Sequence, residues 1–160
     1  MSTFKPVPSA VGGAGRRIGV VASRFNAGVV ERLLEGACEA LFRCGVERSD
    51  VEVVWVPGAW EIPLALDALA ARGDRHALVA VGAVIRGETA HFEHVAGQCS
   101  RGIAEVGLRR RVPIGFGVLT CETLEQALAR AGGAAGNKGE DAALAALEMA
   151  ALLERIGTGT

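Results

Sequence analysis

The chain has 160 residues, with 17 basic and 18 acidic side chains. That near-neutral balance leaves no electrostatic footprint for nucleic acid or an acidic membrane surface. Hydrophobic residues make up 50% and mean hydropathy is +0.31, yet no apolar run reaches the length of a membrane span and the N-terminus shows no signal-peptide core. The expectation is one cytoplasmic domain that covers surplus apolar surface with its own copies. Cys38, Cys44, Cys99 and Cys121 are widely spread without a C-x-x-C pair, which fits reduced thiols better than a disulfide framework or a zinc site.

Residues 1–16, with two prolines and several glycines, read as a flexible N-terminal arm ahead of a single domain at 17–157. Four apolar strands follow, at Ile18–Ser23, Val51–Val56, Ala77–Ile85 and Ile114–Thr120. Between the first two, Val29, Val30, Leu33, Leu34, Ala37, Cys38, Leu41 and Phe42 keep to one helical stripe, and Gly45 stops it. Helices are expected at Ile62–Arg72, with Pro63 in the first turn, at Thr89–Arg109 and at Leu124–Ala131, ending in Gly132-Gly133. The last helix is expected at Lys138–Ile156. This strand–helix alternation predicts a three-layer αβα sandwich on a four-stranded parallel, flavodoxin-like sheet. The run Arg109-Arg110-Arg111 reads as a solvated helix end that complements the dipole.

Ligands of such sheets bind beyond the carboxyl ends of the strands. Here those ends carry Arg24-Phe25-Asn26, Pro57-Gly58-Ala59-Trp60-Glu61, Arg86-Gly87-Glu88-Thr89-Ala90-His91 and Thr120-Cys121-Glu122. The third is the most informative. An apolar run from Ala77 to Ile85 stops at Arg86-Gly87, and unpaired N–H groups near Gly87, Glu88 and Thr89 at a helix start would favour an anion. His91, one turn on, suits proton transfer; it is equally readable as an exposed helix histidine. His91 and His94, with Glu88 and Glu93, allow a metal reading, although the spacing matches no strong ligand motif.

Glu61 either orients ligand hydroxyls or complements a helix dipole. Phe25 either stacks on a flat ring or plugs a helix end. Arg130 either grips phosphate or complements its own helix end. Cys121 lacks a histidine partner in the sequence and reads as inert. Gly132–Gly139 lacks the spacing of a phosphate-binding P-loop, and Gly115-Phe116-Gly117 lies within a strand, so neither supports nucleotide chemistry.

Several of these segments together resemble one family. Arg24-Phe-Asn26, Val56-Pro-Gly-Ala-Trp-Glu-Ile-Pro63, Gly82-Ala-Val-Ile-Arg-Gly-Glu-Thr-Ala-His-Phe-Glu93, Phe116-Gly-Val-Leu-Thr120 and Glu125-Gln-Ala-Leu-Ala-Arg-Ala-Gly132 with Gly136-Asn-Lys-Gly139 are similar to the 6,7-dimethyl-8-ribityllumazine synthases. The resemblance runs in order over about residues 16–155. It implies a transferase of riboflavin biosynthesis. This enzyme condenses 5-amino-6-(D-ribitylamino)uracil with 3,4-dihydroxy-2-butanone 4-phosphate, releasing phosphate and water, with no metal or organic cofactor.

The resemblance further implies site roles. Phe25 stacks on the aminouracil, Ala59, Trp60 and Glu61 hold the ribityl chain, and Ala83, Val84 and Ile85 line the heterocycle. Phe116, from a neighbouring subunit, closes the pocket. Glu88 and Thr89 bind the phosphate together with Arg130, also from the neighbour. His91 is the proton donor, and Asn26 and Lys138 are accessory. Trp60 stands where many members carry phenylalanine, and position 88 varies in the family, so Glu88 contributes its backbone N–H.

Family members form pentamers, some of which close into icosahedral shells and associate with riboflavin synthase. The short Gly132–Gly139 connection favours a shell. A non-catalytic flavin or lumazine carrier, or a shell-forming paralogue, is the alternative reading; His91 and Arg130 argue against it. The Arg-Gly-x-Thr-x-His run argues against the related archaeal-type riboflavin synthase.

Overall fold

The computed structural model describes residues 12–159. Most of the expected N-terminal arm, residues 1–11, lies outside that range. Its last residues are held: Gly13 N–H donates to the Cys44 carbonyl at 2.8 Å, and Arg16 pairs with Glu154.

Four parallel strands form the sheet: β1 (Ile18–Ser23), β2 (Val51–Val56), β3 (Ala77–Ile85) and β4 (Ile114–Cys121), in the order β2-β1-β3-β4. β1 is buried along its whole length and β3 up to its last residue, which is why both read as unbroken apolar runs. Helices α1 (Ala27–Arg43), α2 (Ile62–Ala71), α3 (His91–Arg110), α4 (Leu124–Arg130) and α5 (Lys138–Thr158) make the outer layers. Leu33, Ala37 and Leu41 of α1 and Ala143 and Leu147 of α5 pack with Ile18, Val20 and Val79 on one face. On the other, Ile62, Leu66 and Leu69 of α2 and Cys99, Ile103 and Val106 of α3 cover Val21, Leu78 and Ala80. The expected three-layer sandwich is the observed one.

The chain steps from β1 outward to β2, then returns across β1 to β3. The switch in direction between β1 and β3 opens a crevice at their carboxyl ends. β3 also outruns β1: their register ends at Ala22↔Val81, while β3 continues to Ile85. The edge of β3 beyond that point faces the crevice.

Three local features depart from the sequence expectation. The helix expected at Thr89 starts at His91, because the Arg86 N–H extends the ladder to the Cys121 carbonyl at 2.9 Å before the chain turns. Gly87 therefore precedes the helix, and His91 does not share a helical face with it. The Gly132–Gly139 connection holds a small antiparallel ribbon, β5 (Ala131–Gly133) with β6 (Gly136–Asn137), whose Gly132 and Gly136 take φ of 96° and 79°. Finally, Arg109 and Arg110 do more than end a helix: both bond Asp67 of α2, at 2.6 and 2.9 Å, and hold its carboxyl well below the usual range.

Asn137 explains the Gly-Asn-Lys-Gly segment. Its side-chain oxygen accepts from the Gly139 and Glu140 N–H groups, capping α5, and its amide donates to the Arg32 carbonyl of α1 at 3.0 Å. This close crossing requires Gly139, where an added Cβ would stand 1.9 Å from the Leu33 carbonyl oxygen. Gly139→Ala is expected to cost about 3 kcal/mol and lower Tm by about 6–12 °C. Thermal unfolding checks this, and an unchanged Tm would mean that the crossing yields freely.

Candidate active site

A crevice of about 900 Å³ lies at the β1/β3 switch point. The loop after β1 supplies Phe25 and Asn26 to it. The turn after β2 supplies Ala59, Trp60 and Glu61, and the end of β3 with the start of α3 supplies Ala83, Val84, Ile85, Gly87, Thr89 and His91.

Local rules place each of these groups. The β1–β2 ladder continues past the strands, with Arg24 N–H to the Val56 carbonyl at 2.8 Å and Phe25 N–H to the Pro57 carbonyl at 3.1 Å. Phe25 is thereby anchored through its backbone while its ring stays 73% exposed. Asn26 then takes φ 61°, a left-handed conformation that asparagine tolerates, and starts α1. Its amide donates to the Ala83 carbonyl at 2.9 Å, tying the end of β1 to the free edge of β3. Strand alternation puts the N–H and C=O of Ile85 on that same edge, so a planar heteroaromatic ring can be read there by backbone groups.

Across the crevice, a short 3-10 turn over Ala59–Glu61 leads into α2. Glu61 Oε2 accepts from the Gly58 N–H at 3.0 Å, which fixes the carboxylate and leaves it acceptor capacity for hydroxyls. Trp60 is 59% exposed, a second open aromatic at the mouth. A solvent-facing phenyl and indole flank the backbone edge, surfaces on which a flat ring can stack.

The third wall is the loop 86–90, exposed throughout. The His91 N–H lies 3.4 Å from Thr89 Oγ1, and the Glu93 N–H turns back to the Ala90 carbonyl. These contacts mark the first turn of α3, and a helix start of this kind favours an anion, here beside the imidazole. Ser23, fully buried at the end of β1 beside Gly82, has a hydroxyl with no hydrogen-bond partner.

Four expected site residues stand elsewhere. Glu88 sits on the same loop outside the crevice lining. Phe116, 51% exposed on β4, lines an apolar groove with Ile103, Leu108 and Ile114. Lys138, at the start of α5, pairs with Asp141 at 2.9 Å. Arg130 ends α4, where it donates to the Gln126 carbonyl at 3.0 Å. Within one chain, then, the aromatic, carboxylate and imidazole groups converge, and the candidate phosphate-gripping guanidinium does not.

The other readings of these residues lose support. Glu93, once a candidate metal ligand, pairs with Arg86, and among the described residues no three His, Cys, Asp or Glu side chains gather in a metal-holding group. Burial pushes the Cys121 thiol up, against a smaller opposing effect of Arg130, which disfavours a thiolate there. The sequence reading missed Phe92 and Val95 as crevice-lining groups. Both carry the apolar spacing of a core-facing helix, which a crevice wall shares.

Fold and crevice together define a parallel α/β protein with a crevice at the switch point of its sheet, where open aromatic rings, a fixed carboxylate and an imidazole meet. The model of the 6,7-dimethyl-8-ribityllumazine synthase family matches residues 15–154. The 6,7-dimethyl-8-ribityllumazine synthase of Edwardsiella ictaluri (strain 93-146) is 54% identical over 154 residues, covering 96% of this chain and 99% of the relative. The chain belongs to that family.

Proposed function

We propose that the crevice carries out the family's condensation, joining 5-amino-6-(D-ribitylamino)uracil to 3,4-dihydroxy-2-butanone 4-phosphate and releasing phosphate and water. The observation that carries this reading is the convergence of Phe25, Trp60, Glu61, the free edge of β3 and His91 on one crevice. The aminouracil lies against Phe25 with its ring edge on Ala83–Ile85 and its ribityl hydroxyls at Glu61, near Ala59 and Trp60. The four-carbon phosphate lies at Thr89 and the Glu88 backbone. His91, beside it, passes a proton as phosphate leaves. Imine formation, phosphate elimination, ring closure and dehydration then follow in a held geometry, where proximity supplies much of the rate.

The site is completed by a second copy, whose Phe116 covers the heterocycle and whose Arg130 grips the phosphate, with Asn26 and Lys138 as accessory groups. The support is that Phe116 and Arg130 lie outside this chain's own crevice while Phe116, Leu108, Met149 and Ile156 leave apolar surface exposed. A ring of five copies, closing into a shell, fits the short ribbon connection at 131–137. Among the described residues no helix is long and apolar enough to cross a membrane, and four unpaired thiols suit the cytoplasm.

Mixing purified protein with both substrates tests the activity. Equal amounts of lumazine and inorganic phosphate are expected, whereas tight lumazine binding without turnover would establish the carrier reading. Phe25→Ala tests the stacking. The KM for the aminouracil is expected to rise about 2- to 10-fold with Tm unchanged, since the ring is largely in solvent. An unchanged KM would remove Phe25 from the site.

A further inference from the structure

We propose that Arg86 is a positioning residue for this reaction: its side chain braces the loop that presents Thr89 and His91 without touching substrate. The proposal rests on reading the crevice as the phosphate-releasing site. The loop 86–90 has little to hold it. It is exposed, a Cβ on Gly87 would meet nothing within 4 Å, and its internal contact is the long one at Thr89. Arg86 is where it is fastened. The backbone N–H bonds the Cys121 carbonyl, Nε donates to Glu122 Oε2 at 2.6 Å, and a terminal nitrogen reaches Glu93 Oε1 at 3.4 Å. The guanidinium carbon also lies 4.7 Å from the centre of the Phe92 ring.

One side chain thus joins the end of β3, the connection before α4 and the first turn of α3. A rigid planar fork is suited to bridging two carboxylates over an aromatic face. Phe92 lines the crevice immediately after His91, so the ring that Arg86 covers sets the direction in which α3 begins. Arg86 itself is outside the crevice lining, and two carboxylates already compensate its charge. Those features disfavour a direct grip on phosphate. The ion pairs are also open to solvent, a setting in which they add little to global stability. Loss of the brace should therefore appear in the reaction and in loop motion rather than in Tm.

The test uses the full chain. Arg86→Gln is expected to raise the KM for the butanone phosphate about tenfold while the aminouracil KM and Tm stay unchanged. Amide hydrogen exchange over residues 87–93 should accelerate. Arg86→Lys keeps a positive charge beside Glu122 and Glu93 without the planar fork and should recover part of the loss. Unchanged KM and exchange would overturn the proposal. So would a raised KM without faster exchange, which marks direct phosphate contact, or a lowered Tm with both KM values altered, which marks a structural role. If wild-type protein makes no lumazine, the functional reading fails by itself, and the exchange data still decide whether Arg86 braces the loop.

Discussion

Replacing His91 by alanine is expected to lower kcat about 10- to 100-fold while both substrates still bind. That places the effect at or below the foot of the range for general acid–base groups, and the site explains why. Most of the crevice is built to hold and align: Asn26 pins the edge of β3, Glu61 is fixed by the Gly58 N–H, and Phe25 is anchored through its backbone. Those contacts survive the substitution, so proximity still accelerates the condensation. What is lost is one proton transfer at the departing phosphate. Rapid-quench measurement of a single turnover, with KM values alongside, checks this; an unaltered kcat would remove His91 from the chemistry.

Arg130→Ala is expected to act on the other half of the reaction. A charged hydrogen bond to phosphate is worth about 1.5–3 kcal/mol, so kcat/KM for the butanone phosphate should fall about 10- to 100-fold. The aminouracil KM should stay near its original value. Arg130 is set for such a role by a well-fastened helix. Thr123 caps α4 by accepting from the Gln126 N–H, and the Gln126 side chain accepts from the Glu122 N–H. Arg130→Lys should recover only part of the loss, because a lysine keeps the charge and loses the fork. Substrate titrations on both variants decide the matter, and a loss confined to the aminouracil would contradict the assignment.

Much of this architecture is legible in the residues because β1 and β3, buried on both faces, are unbroken apolar runs, and the half-exposed edge strand β2 is still mostly apolar. Ile18–Ser23, Val51–Val56 and Ala77–Ile85 begin and end where their apolar runs do. The polar residues that interrupt those runs mark the carboxyl ends, which is why Phe25, Trp60, Glu61, Thr89 and His91 could be expected together. Periodicity does not carry the remainder. The β5–β6 ribbon is built from alanine, glycine and asparagine, which leave no side-chain pattern to read. The true start of α3 depends on Arg86 pairing with a ladder partner 35 positions away in the chain, at Cys121. The bracing role of Arg86 is a tertiary arrangement of Glu122, Glu93 and Phe92 that no local motif encodes. Nor does spacing reveal that Phe116 and Arg130 stand outside the crevice of their own chain; the family resemblance implies it, and the folded geometry leaves both out of that crevice.

On the proposed reading, each crevice is half of a catalytic site, with His91 working beside Arg130 of the next copy. The direct measurement is to co-assemble His91→Ala and Arg130→Ala chains in equal amounts and assay lumazine formation. In a head-to-tail ring, a site pairs an intact His91 with an intact Arg130 in about one case in four, so activity should return to about a quarter of the wild-type value. A mixture no more active than its two parents would contradict the account.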